Sequence, residues 1–68
     1  MVKLRELRSE LRQLGFIPRP GKGSHEIWTD PLRPRRKVVL SGAGGKDARP
    51  FQISKVRQFR RGMMVYEQ

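Results

Sequence analysis

The stretch Gly15-Phe16-Ile17-Pro18-Arg19-Pro20-Gly21-Lys22-Gly23-Ser24-His25-Glu26-Ile27-Trp28-Thr29-Asp30 holds two short extended segments on either side of a glycine turn. Phe16–Arg19 reads as a first strand and His25–Thr29 as a second, closed by Asp30-Pro31. Between them, Pro20-Gly21-Lys22-Gly23-Ser24 carries the two glycines of the turn. Pro18 and Pro20 lack amide donors on the same side of their strand, so that side is expected to be a free sheet edge. Alternation puts His25, Ile27 and Thr29 on one face of the second strand and Glu26 and Trp28 on the other. Alternation alone does not say which face is buried; Trp28 is the preferred inward residue.

Upstream, residues 3–14 read as an amphipathic helix, with Leu4, Leu7, Leu11 and Leu14 forming a narrow apolar stripe. Gly15 follows where a helix end favours a left-handed residue. Arg5, Arg8 and Arg12 share one flank of this helix, and Glu6 and Glu10 the opposite one. The arginine flank fits either a phosphate-tracking edge or an ordinary solvated face. Downstream, Arg33–Arg36 with Pro34 is expected to be a basic turn, and Lys37–Leu40 a third strand.

Residues 41–49 form a glycine-rich loop containing Ser41-Gly42-Ala43-Gly44-Gly45-Lys46-Asp47. It lies between a strand and a helix, as a nucleotide-binding P-loop does. However, Leu40 stands where that motif needs its first glycine, and Asp47 replaces the hydroxyl residue after the lysine. It therefore reads as a flexible loop whose Lys46 can touch phosphate. Pro50 suits the first turn of a second helix running to about Arg61 and stopped by Gly62. Ile53, Val56, Phe59 and Met63 share one side of that helix, and Arg57, Arg60 and Arg61 another. The tail from Met63 to Gln68 reads equally as more helix, a strand or a partner contact.

The order is thus α-β-β-β-α, an α+β fold. Short hairpin links make the three-stranded sheet antiparallel, with two helices on one face. Sixty-eight residues make one domain, 1–68, near the lower limit for a core without staples. The chain has no cysteine, which removes disulfides and thiolate metal sites, and no metal or cofactor is expected. No apolar run is long enough to span a bilayer, and the N-terminus lacks a signal peptide's hydrophobic segment, so a cytoplasmic protein is expected.

Charge narrows the partners. Sixteen Lys and Arg against six acids give a formal charge of +10, and eleven of the sixteen are arginines. Such a field favours polyanions, because each neutralised phosphate releases counterions, and arginine forks pair with phosphate better than ammonium groups do. An acidic protein is a competing partner. A membrane surface ranks last, because the first helix offers only leucines on a narrow face where bulky apolar anchors would be needed.

One constellation carries chemistry. Lys22-Gly23-Ser24-His25 brings a cation, approachable backbone, a hydroxyl and the chain's single imidazole to one strand start. Histidine is the side chain suited to proton transfer near neutral pH. RNA supplies its own nucleophile, the 2′-hydroxyl, so cleavage needs a base, an acid and positive charge on the phosphorane. On the residues alone, plain RNA contact or an idle surface histidine remains the commoner outcome.

The run from Gly15-Phe16 through Lys22-Gly23-Ser24-His25 to Trp28 resembles the HicA (YcfA-like) family of toxin proteins. The leucine helix before it, the strand Val38-Val39-Leu40 and the closing helix with Ile53 and Val56 extend the likeness to about residues 2–62. The resemblance implies a double-stranded-RNA-binding-domain-like fold, a ribonuclease that cuts mRNA and stops translation, and neutralisation by a HicB-like antitoxin, and it puts the catalytic residue at His25. Joined to the chemistry of the constellation, the leading reading is a metal-independent endoribonuclease with His25 as general base or acid and Lys22, Gly23 and Ser24 on the scissile phosphate. Arg36, Lys37 and Lys46 are then expected along the RNA. Glu26, next to the histidine, departs from the family's usual histidine or apolar residue; alternation points it to the other face, so little effect is expected. The Gly42–Asp47 loop and the tail after Gly62 also depart from the family. A noncatalytic RNA-binding module is the alternative, and a domain whose basic surface meets an acidic protein is a third reading.

Overall fold

The computed structural model describes the backbone of residues 1–67 and the side chains of residues 1–62. The elements are α1 (Leu4–Gln13), β1 (Ile17–Pro20), β2 (His25–Asp30), β3 (Arg33–Ser41) and α2 (Pro50–Glu67). The three strands form one antiparallel sheet in the order β1-β2-β3, which gives the double-stranded-RNA-binding-domain-like α-β-β-β-α fold.

Leu4, Leu7 and Leu11 form the buried stripe of α1, and Leu14 packs at its margin. The helix ends in a Schellman motif. The Gly15 N–H donates to Arg12 C=O and the Phe16 N–H to Leu11 C=O, with Gly15 at φ 92°. Phe16 then enters the core, its ring centroid 4.8 Å from that of Phe59 on α2.

β1 starts one residue later than expected and pairs Ile17 with Thr29 and Arg19 with Ile27. The Gly21 N–H donates to His25 C=O at 2.8 Å, so the odd-numbered residues bond β2. Pro18 and Pro20 therefore turn their missing donors toward the open edge.

β3 corrects the expected basic turn at Arg33–Arg36. The tight connection is Pro31-Leu32, where Asp30 Oδ1 accepts the Leu32 N–H at 2.9 Å, and Arg33 already pairs with Asp30. The next pairing is Lys37 with Thr29, so Pro34, Arg35 and Arg36 are extra residues on β3. Proline cannot donate to a ladder, which makes this a natural place for a bulge. At its other end β3 runs past Leu40 to Ser41, which pairs with His25.

α2 corrects a second expectation, since the helix runs through Gly62 to Glu67. A glycine inside a helix costs about 1 kcal/mol relative to alanine. Here it makes room: a Cβ at Gly62 would lie 2.7 Å from Arg36 Nη2, and Arg36 Nη1 reaches Phe59 C=O at 3.5 Å. The tail is therefore helical in backbone as far as Glu67. The Met63 side chain, expected inward, and Gln68 lie outside the described residues.

Both helices cover the face that carries Trp28, Val38 and Leu40, with Val56 and Phe59 of α2 meeting the α1 leucines. Trp28 is 0% exposed, as its inward placement requires. The opposite face carries His25, Ile27, Lys37, Val39 and Ser41.

Candidate active site

The turn before β2 is built by its glycines. The His25 N–H donates to Lys22 C=O at 3.0 Å, closing a four-residue turn with Gly23 second at φ 59°. Positive φ at that position, followed by a residue without it, is the backbone of a type II′ hairpin turn and selects glycine there. Both backbone groups of His25 are thus held, its N–H by Lys22 and its C=O by Gly21. A Cβ at Gly21 would lie 3.3 Å from His25 Cβ, so glycine also lets the two strands close together here. Lys22, Gly23, Ser24 and the His25 side chain are exposed.

His25 opens onto a cleft of about 400 Å³ between β3 and the first turn of α2. Lys37 and Ser41 line it from β3, and Arg49, Phe51 and Lys55 from α2 and its approach. Among the described residues its lining holds three cations and no carboxylate. Such a cavity is electrostatically suited to an anion with an apolar portion, which describes a nucleotide. Gln52 fastens the far wall. Its Oε1 accepts the Arg49 N–H at 2.9 Å, and its Nε2 donates to Val39 C=O at 3.4 Å, joining the start of α2 to β3.

Of the residues singled out in the sequence, His25 and Lys37 both line this cleft, His25 beside Ser41 and Lys37 four residues along the sheet beside Thr29, with Lys22, Gly23 and Ser24 adjoining His25 through the turn. Arg36 lies elsewhere, at the Arg33 end of β3 against α2. Lys46 is exposed on the glycine-rich loop.

That loop is pinned rather than flexible. Lys46 C=O and Gly44 C=O accept the Leu4 and Arg5 N–H groups at 2.8 and 3.1 Å, and the Ala48 N–H donates to Val2 C=O at 2.8 Å. Its carbonyls satisfy amide donors that the start of α1 leaves without intrahelical partners. Lys3 Nζ pairs with Asp47, and the hydrogen bond and charge of Lys3 hold the Asp47 carboxyl below its ordinary titration range.

The arginine flank of α1 is largely spent on the protein itself. Arg8 Nε donates to Glu26 Oε1 at 2.9 Å and Arg8 Nη2 to Gly42 C=O at 2.6 Å. Trp28 Nε1 donates to the same Glu26 oxygen at 3.2 Å, and the Arg12 guanidinium lies 5.2 Å from the Trp28 ring centroid. Glu26 thus faces away from His25, as alternation requires, and ties α1 to β2, while Arg8 itself reaches the loop at Gly42 C=O.

Sequence reasoning missed Ser41, Arg49, Phe51 and Lys55. Ser41 was absorbed into the loop because the length of β3 depends on the bulge. Phe51 did carry a signal: it sits well off the Ile53–Val56–Phe59 face of α2 in a chain with few aromatics.

Among known proteins, the family model described as "HicA toxin of bacterial toxin-antitoxin" matches residues 4–60. No curated protein and no solved structure matches the chain.

Proposed function

The chain belongs to the HicA toxin family of bacterial toxin–antitoxin systems, and on that premise we propose that it arrests translation by cutting mRNA at His25, without a metal. The observation that carries this reading is the exposed His25 imidazole at a cleft lined by Lys37, Arg49 and Lys55, beside the Lys22-Gly23-Ser24 turn.

In the proposed reaction the RNA 2′-oxygen attacks the adjacent phosphorus in line with the departing 5′-oxygen. The new bond closes a 2′,3′-cyclic phosphate, and the P–O5′ bond breaks. One proton leaves the 2′-hydroxyl and one reaches the 5′-oxygen. His25 serves one of these transfers as general base or acid, and solvent serves the other. Lys22, Gly23 and Ser24 hold the scissile phosphate, with Lys22 offsetting the negative charge that develops on the phosphorane, and Lys37 tracks the strand beyond it. Lys46 and Arg36 meet the RNA farther along. A HicB-like antitoxin is the proposed neutralising partner and the cytoplasm the place of action. Among the described residues no helix is long and apolar enough to cross a membrane.

One positioned acid–base group contributes about 10²–10⁴-fold to rate. Purified protein in chelator is expected to leave cyclic phosphate ends on RNA, and His25→Ala to lose about that factor while still binding RNA. Equal cleavage by wild type and variant sinks the assignment. RNA binding without cleavage or growth arrest makes the chain a noncatalytic RNA-binding module.

A further inference from the structure

We propose that the cleft between β3 and α2 is a nucleotide subsite in which an unpaired RNA base stacks on Phe51 while Arg49 and Lys55 take the adjoining phosphates. This rests on the reading that RNA passes His25, and it adds which part of the RNA the cleft holds.

Phe51 is 63% exposed, whereas Phe16, Trp28 and Phe59 are all buried in the core. Among the described aromatic residues it alone presents its ring to solvent. It does so in the first turn of α2, a turn fastened to β3 through the buried Gln52, so the backbone that carries the ring is held beside the sheet that carries His25. With its backbone already held, only the side-chain rotation of Phe51 is left to lose when a ligand arrives. Cations on the same walls suit the phosphates on either side of a stacked base.

The same arrangement selects the form of RNA. Every base has a π-face, so an aromatic platform accepts any of the four. Within a duplex those faces are covered by neighbouring pairs, and A-form helices are met through shape and phosphates instead. The subsite is therefore built for a single-stranded segment, with little preference for base identity.

The test uses RNA with 2′-O-methyl riboses, which cannot be cut by the 2′-oxygen. Trp28 is wholly buried, so Phe51→Trp adds an exposed fluorophore over a constant background. Its emission is expected to quench on single-stranded RNA, with affinity at least equal to wild type. Phe51→Ala is expected to weaken single-strand binding on the order of tenfold and to leave duplex binding as it was. Circular dichroism checks that each variant is folded. Unchanged single-strand affinity in Phe51→Ala overturns the proposal. So does a loss confined to binding of the purified antitoxin, which would make the cleft a protein-docking surface. Because this RNA is uncleavable, failure here is distinct from failure of His25→Ala to lose cleavage.

Discussion

Two glycine-rich segments of this chain look alike in composition and serve different purposes. Lys22-Gly23-Ser24 and Ser41–Asp47 each follow or precede a strand, and each carries a lysine and small residues suited to phosphate. The first is a tight turn between adjacent strands, its residues exposed and its bonds directed at the backbone of His25. The second is consumed by the fold: its carbonyls cap α1, Asp47 pairs with Lys3, and Gly42 C=O accepts from Arg8. Glycine content alone does not tell these apart. What separates them is whether an unsatisfied helix end lies within reach.

The comparison can be broken from either side. Substitutions around the loop should act on stability, and those in the turn on RNA. The largest effect is expected at Glu26, which accepts from both Arg8 and the buried Trp28 indole. Glu26→Ala leaves two partly or fully buried donors short of an acceptor, a loss of about 1–3 kcal/mol read by urea denaturation. Glu26→Gln, which keeps an acceptor, should recover part of it. An unchanged midpoint for Glu26→Ala would mean that Arg8 and the Trp28 indole are satisfied without this acceptor.

On the other side, Lys22→Ala should stay within about 0.5 kcal/mol of wild type in stability. Its log–log dependence of RNA affinity on salt should become shallower by roughly 0.7, the value of one phosphate contact on a single strand. Lys46→Ala should change cleavage less than Lys22→Ala, because its loop is bound to α1 and Lys46 does not line the cleft. The reverse order would return the glycine-rich loop to the reaction.

The smallest effect concerns pH. Lys3 lowers the titration of Asp47 in the folded chain, so this stabilisation is complete above the carboxyl's unfolded titration. It is lost as pH falls through the lower, folded one. The Tm difference between wild type and Asp47→Asn should therefore close at the acid end, with Asp47 exposed and the pair weak throughout. A gap that persists in acid would assign the role of Asp47 to its backbone position.

Much of the fold was legible because local signals agreed. The leucine spacing and Gly15 marked α1 and its end. The two prolines marked an open edge, and alternation separated His25 from Trp28. Misreadings arose where another contact, near or distant, overrode the first local signal. Gly62 reads as a helix stop, but its lack of a Cβ accommodates Arg36 from β3 and the helix continues. Arg33–Arg36 reads as a turn, but Asp30 closes the connection earlier and the surplus residues bulge from the strand.

The sequence by itself determined the order of elements, the basic character and the side of β2 on which His25 stands, because these follow from periodicity and charge along the chain. Only the tertiary structure decided what His25 faces. The register that pairs it with Ser41 depends on the β3 bulge, and the cleft with Arg49, Phe51 and Lys55 depends on Gln52 fastening α2 to β3. Both are contacts between residues far apart in sequence, and no local pattern records them.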